Sequence, residues 1–149
     1  MLVRPEIPQN TGSIARLAAA TKTRLHLVGP LGFSLEDRYL KRAGLDYWPL
    51  VDLRTYSGWE EFAAAHCEIS AKCFSARAKP SYLAGGYARG DYLVFGSETK
   101  GLGREFLSER KDRTFQIPIF EKGVRSLNLA NAVSIVLYEA LRQTELIQP

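Results

Sequence analysis

The chain has 149 residues, 46% of them hydrophobic and 24% charged, and a formal net charge of +4. That is the length of one domain with ordinary globular composition, and no apolar run approaches the ~18 residues of a membrane span. No secretory apolar segment opens the chain, and Cys67 and Cys73 fall outside any metal-ligand spacing, so a reduced, cytoplasmic, metal-free protein that does not enter a membrane is expected.

In chain order, Pro5 to Pro8 reads as an extended lead-in, and Asn10-Thr11-Gly12-Ser13 supplies capping residues for a helix whose Ile14, Leu17, Ala18 and Ala19 face inward. Leu25-His26-Leu27-Val28 is a strand stopped by Gly29-Pro30. A short basic helix is predicted over Leu35 to Ala43, ending at Gly44, followed by a weak strand at Leu50-Val51-Asp52-Leu53. Ser57-Gly58-Trp59-Glu60 has capping-box spacing and opens a helix through Ala65. Cys73-Phe74-Ser75 lies at a strand end, and Asp91 to Phe95 is the clearest strand. A short helix around Glu105 to Glu109 leads to a strand at Phe115–Ile119, and a final helix spans Leu127 to Gln143.

Alternating strands and helices argue for an α/β fold, a parallel sheet flanked by helices, within a single domain over residues 1–149. The last helix carries Leu129, Val133, Val136, Leu137 and Ala140 as one apolar stripe, while Ile135, Tyr138 and Leu141 add apolar surface elsewhere. A helix apolar on two sides is expected to be buried on two sides, which predicts a subunit interface. Basic residues cluster at Arg38, Lys41 and Arg42, at Arg77 and Lys79, and at Arg110, Lys111 and Arg113. Such clusters suit a phosphate-rich partner.

The chemistry is narrowed by what is missing. The only histidines are His26 and His66; the first reads as structural, the second as a surface residue closing a helix, which leaves no histidine-based triad. Thr99-Lys100-Gly101 has the residues of a Walker loop in the wrong order, and Gly85-Gly86-Tyr87-Ala88-Arg89-Gly90 precedes a strand instead of following one. Small polar residues and glycines at neighbouring strand ends, closed by an Asn-rich helix start, mark a site built from amides, hydroxyls and one or two arginines. Such a site suits a reaction whose electrophile its cofactor already activates, and methyl transfer from S-adenosylmethionine is the best example.

Three segments then carry a specific resemblance. Pro5-Glu6-Ile7-Pro8-Gln9-Asn10-Thr11-Gly12-Ser13-Ile14-Ala15-Arg16-Leu17 resembles the first motif of the SPOUT-class RNA 2′-O-methyltransferases. Phe95-Gly96-Ser97-Glu98-Thr99-Lys100-Gly101-Leu102 resembles the second. Ile117-Pro118-Ile119 with Arg125-Ser126-Leu127-Asn128-Leu129-Ala130-Asn131-Ala132-Val133-Ser134 resembles the third. Arg42-Ala43-Gly44-Leu45-Asp46-Tyr47 further resembles the minimal, single-domain branch that methylates the tRNA wobble nucleotide.

The resemblance implies a C-terminal deep trefoil knot, an obligate homodimer, and a bent S-adenosylmethionine held by the knot loops. It implies cofactor contacts at Phe74, Gly96, Ile117 and Ser126, with Leu127 as an apolar wall. Arg16 is the implied catalytic residue. A guanidinium stays protonated, so its expected part is to clamp a phosphate and polarise the 2′-hydroxyl while the proton leaves to phosphate or water. Asn10 and Asn128 would orient the acceptor ribose and the loops. Glu98 would tie the second motif to Arg16 or to the backbone, and Tyr138 would reach across the dimer or simply pack. The implied activity is methylation of the 2′-oxygen at cytidine or uridine 34 in the anticodon stem-loop of tRNA. Action on another tRNA position or on ribosomal RNA is the rival within the fold. A silent RNA-binding dimer is the rival outside it, and the joint presence of Asn10, Arg16, Glu98, Ser126 and Asn128 speaks against that. Two features depart from the family pattern: few residues precede Pro5, and the segment Glu121-Lys122-Gly123-Val124 is slightly longer.

Overall fold

Short strands joined by crossovers of a dozen or more residues, several of them carrying a helix, can return to pair in parallel. The computed structural model describes residues 1–36, 47–66 and 69–147. Its strands are β1 (Leu2–Val3), β2 (Leu25–Val28), β3 (Leu53–Tyr56), β4 (Ala71–Phe74), β5 (Tyr92–Phe95) and β6 (Thr114–Phe115). Its helices are α1 (Pro8–Ala20), α2 (Trp59–Ala65), α3 (Arg104–Ser108) and α4 (Leu129–Gln143). The sheet order is β3-β2-β1-β5-β4-β6, and every pairing is parallel.

Both faces of the sheet are covered. On one, Ile14, Ala15 and Ala18 of α1 and Val133, Val136 and Ala140 of α4 pack with Leu2, Leu25, Leu27 and Phe95. On the other, Phe62 of α2 packs with Val3, Val28, Cys73, Val94 and Leu102, and Trp59, Phe106 and Leu107 close over them. All four residues of β2 are therefore buried, as expected of a strand covered on both faces.

Four boundaries differ from the sequence reading. Helix α1 begins at Pro8, with Ile7 at its N-cap and no side-chain cap. Proline preset for a first helical position starts the helix early and places Asn10 and Thr11 inside it. Strand β3 lies at Leu53–Tyr56 because Pro49 sits in a 3-10 turn over Trp48–Leu50. Strand β6 stops at Phe115, and Gln116 makes only an isolated bridge to Ser81; Pro118 has no N–H with which to continue a ladder. Helix α4 starts at Leu129, because Asn128 is its cap and accepts from Ala130 N at 2.9 Å and Asn131 N at 3.3 Å. The capping box expected over Ser57 to Glu60 does not form: Gly58 is the N-cap of α2 with no side-chain cap bond, and the Ser57 N–H and hydroxyl instead both donate to Glu61, each at 2.6 Å. Most of the predicted helix at Leu35 to Ala43, the cluster Arg38, Lys41 and Arg42, the segment Arg42 to Asp46 and Cys67 lie outside the described residues.

Candidate active site

The site is positioned by three phenylalanines at the carboxyl ends of adjacent strands. Phe95 of β5 stacks on Phe74 of β4 with centroids 4.8 Å apart, and Phe115 of β6 lies 6.3 Å from Phe74. The loops that leave these strands thus start side by side. One holds Gly96, the next Ser75, and the third runs through Ile117 to Asn128. Ile117 packs, half-buried, against the same core.

The second motif folds back on itself. Gly101 N donates to Ser97 O at 2.9 Å, and Lys100 N donates to the Ser97 hydroxyl at 3.2 Å. A Cβ on Gly96 would stand 2.0 Å from the Gly101 carbonyl carbon, so only glycine permits this approach.

Two carboxylates staple this turn to the first motif. Glu98 accepts from Glu6 N at 2.8 Å, from Ile7 N at 3.2 Å and from Asn10 Nδ2 at 2.9 Å. In return, Glu6 accepts from Thr99 N at 3.2 Å and from the Thr99 hydroxyl at 2.8 Å. Asn10 then accepts from Asn128 Nδ2 at 2.9 Å. A continuous chain, Glu98–Asn10–Asn128, therefore ends on the first N–H groups of α4 and joins all three motifs. Of the two partners expected for Glu98, the backbone is the one observed.

Ser126 is exposed and Leu127 half-buried, in the stretch leading to Asn128. Arg16 is exposed on α1, its guanidinium 4.8 Å above the ring of Tyr47, and forms no hydrogen bond to Glu98, Asn10 or Asn128. Sequence reasoning missed Glu6 as a partner of the second motif. Its signal was an acidic residue held between two prolines in an extended lead-in, where it cannot serve a helix. It also missed Thr11, which is fully buried with no partner for its hydroxyl among the described residues.

Titratable chemistry lies elsewhere. His26 shares a hydrogen bond with the Tyr56 hydroxyl at 3.2 Å, that hydroxyl shares another with His66 at 3.0 Å, and His66 reaches Tyr92 at 3.0 Å. His66 is thus half-buried within an aromatic cluster and is not the surface residue expected. Burial holds His26 down at about 4 and pushes the Cys73 thiol up to about 11, so the one stays neutral and the other protonated. Among the described residues no group of three His, Cys, Asp or Glu side chains is placed to hold a metal, and no helix is long and apolar enough to cross a membrane. A mostly apolar cavity of about 330 Å3 opens between α1, α4 and the amino ends of the strands; Asn10, Gly96, Ile117 and Ser126 do not line it.

Comparison with known proteins decides the family. The SpoU rRNA Methylase family matches residues 1–138. The chain belongs to that family. A Burkholderia ambifaria relative, tRNA (cytidine(34)-2′-O)-methyltransferase, is 42% identical over 146 residues, covering 96% of this chain and 93% of that protein. A solved structure described as giving insights into 2-OH methylation of C/U34 on tRNA is 48% identical, with a TM-score of 0.87, covering 95% of this chain and 92% of the other. The SpoU methyltransferase AviRb from Streptomyces viridochromogenes, in complex with AdoMet, is 25% identical with a TM-score of 0.79, covering 95% of this chain and 58% of that one. The parallel sheet flanked by helices is therefore that of the SpoU-class methyltransferases, the class that carries the trefoil knot.

Proposed function

We propose that this chain transfers a methyl group from S-adenosylmethionine to the ribose 2′-oxygen of the wobble nucleotide, cytidine or uridine 34, of tRNA. The observation that carries this reading is near-full-length similarity, in sequence and in fold, to chains described by that reaction.

The residues present fit the donor. It is a polar molecule, with a sulfonium, an amino-acid tail and a ribose, and its adenine has a flat face that apolar side chains can cover and edges that backbone groups can read. The contacts assigned to it in this reading are the main chain at Gly96, the side chains of Ile117 and Leu127, the Ser126 hydroxyl, and the ring of Phe74, which stacks on Phe95. When bound, the sulfonium supplies a methyl group already activated toward an oxygen nucleophile. The work left to the chain is alignment. Asn10 and Asn128, fixed by Glu98, set the loop that faces the ribose. Arg16 clamps the adjoining phosphate and polarises the 2′-hydroxyl, whose proton leaves to phosphate or water.

A homodimer belongs to the same reading. Ile135 and Tyr138 are 37% and 48% exposed on the side of α4 opposite its buried stripe, and a second copy would cover them. A cytoplasmic location is part of the same proposal, and the proposed chemistry requires no metal.

The test is mass spectrometry of nucleosides from tRNA incubated with the protein and labelled S-adenosylmethionine. Label is expected as a 2′-O-methyl group at position 34. Arg16→Ala is expected to abolish transfer while S-adenosylhomocysteine still binds in calorimetry. Label at another position, or full turnover by Arg16→Ala, would overturn the respective assignment.

A further inference from the structure

The loop between β6 and α4 exposes a large apolar side chain although it is anchored at both ends. At one end Gln116 N donates to Pro80 O at 2.8 Å, its side chain donates to Lys79 O at 3.0 Å, and Tyr82 N donates to its carbonyl at 2.8 Å. At the other, Asn128 is held by Asn10. Between them Val124 N donates to Glu121 O at 3.1 Å and Gly123 N donates to the Glu121 carboxylate at 2.9 Å, closing a turn. Phe120 immediately precedes that turn and is 96% exposed. A phenylalanine left in water on an anchored loop beside a candidate site calls for a partner.

The surroundings say which kind. Lys122 and Arg125 are exposed in the same loop, and Arg77 is exposed with Lys79 in the loop that Gln116 ties to it. The acid among them, Glu121, already accepts from the backbone of its own turn. An isolated aromatic face among cations is the composition of a platform for unpaired bases, the ring stacking and the cations taking phosphates. A second copy of this chain fits less well, because a two-fold axis at Phe120 would bring the same cations face to face.

We propose that Phe120 stacks on an unpaired nucleobase of the RNA substrate beside the acceptor nucleotide, with Lys122 and Arg125 on the adjoining phosphates. This rests on the reading of the chain as an RNA methyltransferase and adds a positioning residue to it.

The experiment compares wild type, Phe120→Ala and Phe120→Trp on an anticodon stem-loop RNA. Phe120→Ala is expected to raise KM for the stem-loop about tenfold, the scale of one lost stacked base. S-adenosylhomocysteine affinity and sedimentation should stay as in wild type. Phe120→Trp should restore KM, and its added indole fluorescence should be quenched by the stem-loop. An unchanged KM for Phe120→Ala, or an indole the RNA does not quench, would overturn the proposal. A shift of Phe120→Ala to smaller species would assign Phe120 to a subunit contact instead. The quench reads stacking without turnover, so a wild type that methylates nothing would sink the functional reading alone.

Discussion

Glu98 shows how a single side chain can fix the geometry of a site. Its two oxygens take three N–H donors from the first motif, two of them main chain. Truncating it leaves those donors without their acceptor. Glu98→Ala is expected to cost about 2 kcal/mol of stability, read from urea denaturation, because charge-assisted hydrogen bonds are lost together. Glu98→Gln should lose less, since its amide keeps one acceptor oxygen but points a second donor at a donor. Equal midpoints for all three proteins would show that the carboxylate holds nothing. Residue types at this site were legible from the sequence: a Gly-Ser-Glu turn after an apolar strand and an Asn before a helix both announce backbone-directed chemistry. Their partners were not. Nothing in the spacing of Glu6, Asn10, Glu98 and Asn128 says that hydrogen bonds cross 88 to 118 positions of chain.

Among the elements, those with strong local signals were readable. Strands β2 and β5 are short, apolar and flanked by turn residues, and α4 repeats its apolar positions over four turns. Where two local preferences compete, the reading slipped. Leu50 and Val51 are good strand residues, yet Pro49 turns them aside, and the ladder begins only at Leu53. The pairing of β2 with β3 and its helix α2 also gathers both histidines into one aromatic cluster. His26 stays neutral in the fold, with its value depressed to about 4 from an unfolded value of 6.5. For a depressed basic group, the unfolded chain takes up the proton first. Stability is therefore complete above pH 6.5 and is lost progressively as pH falls toward 4. Urea midpoints measured across that range should fall with pH, and His26→Phe should flatten the decline, although it forfeits the bond to Tyr56. A wild-type midpoint constant from pH 7 to 4 would contradict this account.

For the whole molecule, the open question is what covers the outer side of α4. Its inner stripe of Leu129, Val133, Val136, Leu137 and Ala140 is buried within the chain, whereas Ile135 and Tyr138 face outward. A charge placed there should not disturb the fold but should disturb a two-fold partner. Ile135→Asp is expected to sediment as a monomer, keep its far-ultraviolet circular dichroism spectrum at room temperature, and lose methyl transfer. A fully active Ile135→Asp monomer would remove the dimer from the mechanism. Sheet order was the least legible property at this scale. The first strand lies between β2 and β5, and no local pattern reports that its two neighbours come from such distant parts of the chain.

The crossed carboxylates have a temporal side. Glu6 and Glu98 each hold the other's neighbourhood, and the helix that follows Asn128 completes the arrangement. During synthesis the opening segment must wait for the ribosome to deliver most of the polypeptide before either bond can form. A nascent or prematurely terminated product would therefore carry every residue of the first motif and still be inert, so that catalytic competence arrives late, as a property of finished molecules.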